Sequence, residues 1–281
     1  EVTQIYKSGL SQHATTNITL QTRTANSYNI SDPNLIAFWG LNNDSSIGEN
    51  ASKFVDSTGI NNGTCVGTTC PTLNLNGTVG SAYNFDGVND YINITNPMGT
   101  LTPTSNITFS AWVKASAPGT SRFLVNKVVV NSVEFVLEYG YATANRWSAG
   151  VGKAGVDYVK VVDTADAVVD NWYYVTGVSN GTHISLYVNG NYKGSTALDA
   201  TVLGASSVNL GWSIGNEVYA GTGYNYFNGT IDEVRIYNRS LSATEVADLY
   251  NLGSYHINWI GGGNNWTSAG TAQDNIPLQA I

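Results

Sequence analysis

The sequence predicts an all-β protein, a two-sheet antiparallel sandwich with one short C-terminal helix and β or linker extensions at both ends. Three observations predict it. Charged residues make up only 11% of the 281, and polarity comes instead from 33 Asn, 29 Thr, 25 Ser and 30 Gly, poor helix formers that suit strands joined by turns. Alternating or β-rich apolar runs recur along most of the chain, at short spacing. Turn pairs such as Asn189-Gly190 punctuate them, and that pair tolerates positive φ at both positions of a hairpin turn.

The elements follow in order. Residues 1–33 read as the tail of a preceding repeat, a short helix at Glu1–Gly9, followed by a linker with one strand candidate at 18–24 and a stop at Asp32-Pro33. Residues 34–253 form the main domain. Strands are predicted at 35–41, 80–86, 107–113, 121–129, 133–139, 156–162, 172–178, 184–188, 207–215 and 229–237, about a dozen with the weaker candidates, which is the count of a two-sheet sandwich. Ser242-Ala243-Thr244-Glu245 has capping-box spacing, and Val246, Leu249 and Tyr250 then share one helical face up to Gly253, read as the residue that ends the helix. Residues 254–281 are Gly- and Asn-rich, a linker or the start of a next repeat.

The repeat reading comes from a self-match. EVTQIYKSG at 1–9 aligns with EVADLYNLG at 245–253, sharing Glu, Val, Tyr and Gly at an offset of 244 residues. A chain beginning at Glu1 is expected to be a mature or excerpted form, and copies of itself or neighbouring repeats are its expected partners.

A net charge of −8 repels phosphate backbones and anionic lipid, so nucleic acid is not an expected partner. No apolar run approaches 18 residues, so no membrane span is expected in this segment. Cys65 and Cys70 are read as a local disulfide, against the alternative of two small buried thiols; a disulfide places the chain in an oxidising compartment. Twelve Asn-x-Ser/Thr sequons begin at Asn17, Asn29, Asn43, Asn50, Asn62, Asn76, Asn93, Asn106, Asn180, Asn228, Asn238 and Asn265. Composition alone gives about 6, and the excess suggests a glycosylated surface, although Asn-Gly-Thr is also good hairpin chemistry.

Several segments then carry a family resemblance: LIAFWGLNND (35–44), FVDSTGINNGT (54–64), AYNFDGVNDYINI (82–94), ITFSAWVKA (107–115), NWYYVTGVSNGTHISLYVNG (171–190) and FNGTIDEVRIYNRSLSATEV (227–246). Together they resemble the laminin-G-like, concanavalin A-like jelly-roll modules of archaeal and bacterial surface proteins, with an archaeal host expected. Asn89 departs from a frequent acidic residue of that pattern. The resemblance implies a jelly roll and an extracellular or cell-surface location. It does not fix a ligand, because the fold hosts lectins, adhesins, hydrolases and spacers.

The resemblance also implies a structural calcium ion. Asp56, Asn61 and Asn62 share one Gly-punctuated loop, and the family fold brings Asp232 of the closing strand near the opening one; calcium takes six to eight oxygens. Glu233 is left out because a regular strand points it to the opposite face. The alternative is Asx-turns at Asp56 and Asn62, with Asp232 bonded to backbone. For a carbohydrate, aromatic platforms are expected at Trp147, Trp212, Tyr219, Tyr224 and Tyr226, while Trp112 and Trp172 are assigned to the core. Catalysis has little support. Glu134 and Glu138 share a strand face but lie ~13 Å apart along it, beyond the roughly 5–9.5 Å useful for glycoside hydrolysis. The sequence thus predicts a non-enzymatic, glycosylated surface or filament module acting in adhesion or assembly. A lectin-like sugar-binding domain is the alternative, and a glycoside hydrolase is the least favoured reading.

Overall fold

The structure, a computed structural model, describes residues 32–94, 106–119, 121–129, 132–140, 145–153, 156–198, 209–219 and 222–254. The expected helix at 1–9, the strand candidate at 18–24 and the segment after 254 lie outside the described residues. In chain order the strands are β1 (Leu35–Trp39), β2 (Lys53–Phe54), β3 (Gly63–Thr64), β4 (Thr72–Asn74), β5 (Ala82–Asp86), β6 (Ile92–Ile94), β7 (Asn106–Ala115), β8 (Arg122–Val129) and β9 (Ser132–Tyr139). They continue with β10 (Trp147–Lys153), β11 (Val156–Val162), β12 (Tyr173–Asn180), β13 (His183–Val188), β14 (Asn191–Ala197), β15 (Asn209–Ile214), β16 (Glu217–Tyr219), β17 (Thr222–Tyr224) and β18 (Asn228–Tyr237); helix α1 (Ala243–Ser254) follows.

Two antiparallel sheets result. The first runs β14-β13-β12-β7-β18-β5-β4, with β1 paired to the far half of β18. The second runs β11-β10-β9-β8-β15-β6-β3-β2, and β16-β17 form a separate hairpin. Alternation along the strands fills the space between the sheets. Phe109, Ala111 and Val113 of β7 face Phe135, Leu137 and Ala149 of the second sheet, all fully buried. Phe109 and Phe135 meet at 5.0 Å between ring centroids, and Phe135 meets Trp212 at 4.4 Å. Gly177 admits the Phe109 ring, because a Cβ there would lie 2.4 Å from Cε2 of that ring.

The outer face of the first sheet is buried as well. Helix α1 covers it with a smaller core of Leu35, Phe38, Val178, Tyr237, Leu241 and Val246. Trp112 therefore packs beneath the helix rather than between the sheets, while Trp172 is half-buried beside Lys114, whose ammonium sits 5.2 Å from its ring centroid. The capping box forms as expected: the Ser242 amide donates to Glu245 Oε2 (2.7 Å), and the Glu245 amide to Ser242 Oγ (3.3 Å). Gly253 does not end the helix, which runs on to Ser254. A Cβ on Gly253 would lie 2.2 Å from Trp112 Nε1, so this glycine serves close helix–sheet approach.

Two other expectations are corrected. β10 is a strand that the sequence pattern does not predict, because Ser148, Ala149 and Gly150 give it little β signal. Gly150 is required where the Tyr158 ring crosses the strand, since a Cβ there would lie 2.6 Å from Cδ2 of that ring. β18 is not regular. A bulge falls between Asp232 and Arg235, Glu233 takes φ +53°, and both Asp232 and Glu233 are buried.

Candidate functional site

A cleft of about 260 Å³ opens where β10, the β11–β12 loop and the β13–β14 hairpin converge. Trp147 and Tyr173, rings 5.5 Å apart, belong to opposite sheets and form its base. Its walls are Asp163, Ala165, Asp166, Ala167, Val188, Asn189, Asn191 and Lys193.

Local structure positions each group. The Asp163 amide donates to the Trp147 carbonyl (2.9 Å), which fixes the β11–β12 loop against β10. The Asp163 carboxylate accepts from the Ala165 amide (3.2 Å) and lies 3.6 Å from Lys193 Nζ. Asp166 pairs with Arg146 at 2.9 Å on the exposed rim. The Tyr173 hydroxyl accepts from the Val168 amide (2.9 Å) and retains its own proton to donate. Asn189 and Gly190 take φ +52° and +73°, the expected hairpin turn, and Asn189 Oδ1 accepts the Tyr174 amide (2.9 Å). Beneath the cleft, the Trp147 indole N–H and the Tyr139 hydroxyl are buried without a protein partner, and burial pushes the Tyr139 phenol up. The wall carries two carboxylates and one ammonium, a balance that does not suit a phosphate.

The residues expected to bind sugar are not brought together. Trp147 reaches the cleft. It is only 1% exposed, as is Trp212, which packs on Phe135 inside the sandwich away from the cleft lining. Tyr224 is exposed and Tyr226 half-buried at the β16–β17 hairpin; Tyr219 ends β16, and its side chain lies outside the described residues. Sequence reasoning misses Tyr173, Asp163, Asp166, Asn189, Asn191 and Lys193 as site residues. The Asn189-Gly190 turn is visible in the sequence, but its convergence with the β11–β12 loop depends on pairing between distant strands.

The expected calcium set does not fit the ion. Asp56 accepts five hydrogen bonds: from the Phe38 and Thr58 amides on Oδ1, and from Thr58 Oγ1, the Asn61 amide and Asn61 Nδ2 on Oδ2. Asn61 Nδ2 also reaches the Ile36 carbonyl, and Asn62 Oδ1 accepts the Asp56 amide. These oxygens are committed to the loop, which bonds along the free edge of β1, so the Asx-turn alternative describes it. Asp232 Oδ2 accepts from the Thr78 and Val79 amides and Thr78 Oγ1, while its Oδ1 is buried without a partner. Burial and the adjacent Glu233 push the Asp232 carboxyl up. Glu233, also pushed up by burial, is paired with Arg235, whose guanidinium lies 4.2 Å from the Phe38 ring centroid. Among the described residues no three His, Cys, Asp or Glu side chains gather as a metal site.

Glu138 is fully buried, and its Oε2 accepts from Ser148 (3.2 Å), Tyr158 (3.1 Å) and Lys160 (3.2 Å); the Glu134 side chain lies outside the described residues. Cys65 and Cys70 form a disulfide. Of the sequons, Asn50, Asn62, Asn93, Asn106, Asn180 and Asn238 are exposed, and Asn43, Asn76 and Asn228 are half-buried; Asn17, Asn29 and Asn265 lie outside the described residues.

Comparison with known proteins defines the class. The family described as the concanavalin A-like lectin/glucanases superfamily matches residues 86–247, more than half of the chain, and the chain belongs to it. Domain 4 of AbnA, a GH43 extracellular arabinanase from Geobacillus stearothermophilus solved in complex with arabinotriose, is similar in structure. Its TM-score is 0.58 and its identity 19%, over 77% of this chain and 98% of that one. The receptor-binding domain of the botulinum neurotoxin C/D mosaic serotype has a TM-score of 0.58 at 16% identity, over 78% of this chain and 51% of that one. The binding domain of botulinum neurotoxin serotype G has 0.55 at 15%, over 78% and 51%. At these identities the likeness is one of fold, and nothing in it bears on an archaeal source. No curated protein matches the chain in sequence.

Proposed function

We propose that the chain is a non-catalytic, extracellular carbohydrate-recognition module whose cleft takes one terminal sugar residue. The observation that carries this reading is the cleft itself: a half-buried Tyr173 over Trp147, ringed by Asn189, Asn191, Asp163 and Lys193. A pyranose needs an apolar face to rest on and amide, carboxylate and ammonium groups to meet its hydroxyls, and this site offers both. The arabinotriose in the similar arabinanase domain supports the reading by analogy of fold. An extracellular location is supported by the Cys65–Cys70 disulfide. The non-catalytic reading is supported by the two cleft carboxylates, each turned onto a cation of this chain. A glycan-array screen followed by calorimetric titration tests it: Tyr173→Ala and Lys193→Ala should each weaken the best hit by about tenfold. An array without hits, or variants that bind as wild type does, overturns it.

A second reading, a repeated module of an adhesive or filamentous surface protein, is favoured by the match between 1–9 and 245–253. The sequon excess supports glycosylation of that surface. Both readings hold together if the module displays its cleft from an array.

A further inference from the structure

Five residues by which α1 touches the sandwich recur, identical or conservatively replaced, at the start of the chain. Glu245 Oε1 lies 2.6 Å from Arg239 Nη2. Val246 is fully buried against Leu35, Phe38, Val178, Tyr237 and Leu241, with Leu249 packed beside it. The Tyr250 ring stacks on Trp112, with centroids 5.5 Å apart and planes at 28°. Gly253 lies against the Trp112 indole, where a Cβ would come within 2.2 Å of Nε1. Glu1, Val2, Tyr6 and Gly9 are identical to Glu245, Val246, Tyr250 and Gly253, and Ile5 stands at the position of Leu249. At the other four positions Thr3, Gln4, Lys7 and Ser8 stand where α1 has Ala247, Asp248, Asn251 and Leu252; Asp248 and Asn251 are exposed, Leu252 is half-buried, and half-buried Ala247 lies against the Asn189-Gly190 turn, its Cα 3.1 Å from where a Cβ on Gly190 would be.

The identities are concentrated at the contacts with Arg239, the smaller core and Trp112. Gly253 is among the identities, and Trp112 leaves no room there for a Cβ.

We propose that Glu1–Gly9, independently of any sugar in the cleft, is a docking segment for the α1 seat of a second jelly roll of this kind. That seat is the groove of Trp112, Phe38, Tyr237 and Arg239. The seat in this chain holds α1, so the partner is a module whose seat is not filled by its own helix.

A full-length chimera tests the chemistry. Ala247→Thr, Asp248→Gln, Leu249→Ile, Asn251→Lys and Leu252→Ser together write the first nine residues into α1, with Val246→Asp as the control for an empty seat. A melting temperature nearer to wild type than to Val246→Asp supports the proposal; one nearer to Val246→Asp overturns it. The partner is tested by light scattering on the full chain carrying Val246→Asp and Tyr250→Ala, which frees the seat. Self-association that disappears when Val2→Asp and Tyr6→Ala are added supports docking between modules. A monomer throughout, or association indifferent to Val2 and Tyr6, overturns it.

Discussion

The Trp147 and Tyr173 rings stand 5.5 Å apart although β10 carries the first and β12 the second, strands of opposite sheets. The cleft is therefore built on the sandwich core, and its base moves only if the sheets move. Its walls are loops and a two-residue turn, held by the amides of Asp163, Val168 and Tyr174. A rigid base with side chains from loops is the arrangement that separates folding from recognition.

Asp56 works as a protector of the β1 edge. Replacing it with Ala leaves the Phe38, Thr58 and Asn61 amides without their acceptor. Asp56→Ala should cost about 3 kcal/mol. Urea denaturation should show the same loss in calcium and in chelator, because the carboxylate is committed to protein donors.

Acid should weaken the join between the closing strand and α1. The Arg239 bond, then the Ser242 amide, pull the Glu245 carboxyl down to about 2. The Asp32 carboxyl, raised by burial, is brought below its usual value by Arg239 and Asn34. A lowered folded pKa means stability that is present above the usual carboxylate range and is lost as pH falls through it towards 2. Glu245 is partly exposed, so the loss should stay under about 1 kcal/mol. Glu245→Gln should flatten the stability–pH curve between pH ~4.5 and ~2.

Gly253→Ala sets two effects against each other. Ala favours the helix, by at most about 1 kcal/mol this close to its end. Its Cβ would lie 2.2 Å from Trp112 Nε1, and relieving that overlap costs more, about 1–3 kcal/mol. Denaturation followed by tryptophan emission should therefore show net destabilisation and a shifted Trp112 signal.

Much of the fold is legible in the sequence because it rests on local pattern. β7 alternates plainly, Asn189-Gly190 names its own turn, and Ser242 and Glu245 announce the helix. β10 is hidden because its small residues answer to the Tyr158 ring, a contact outside its own sequence. The bulge at Glu233 is hidden for a similar reason: its positive φ is sustained by Arg235 and the packing around it. Residue type alone marks Asp56 and Asp232 as oxygen donors. Which hydrogen-bond donors they already serve is settled by loops that meet only in the fold. Trp147 is legible as an aromatic candidate, and Tyr173 is not, because its neighbours in WYYV all look like sheet residues.

The most direct measurement is nuclear magnetic resonance of the seven tryptophan indole N–H groups during titration with the best array glycan. The Trp147 resonance should move and saturate with the calorimetric affinity, while that of Trp212, buried against Phe135 away from the cleft lining, should stay in place. Binding that saturates by calorimetry with the Trp147 resonance unmoved would contradict the assignment of the cleft.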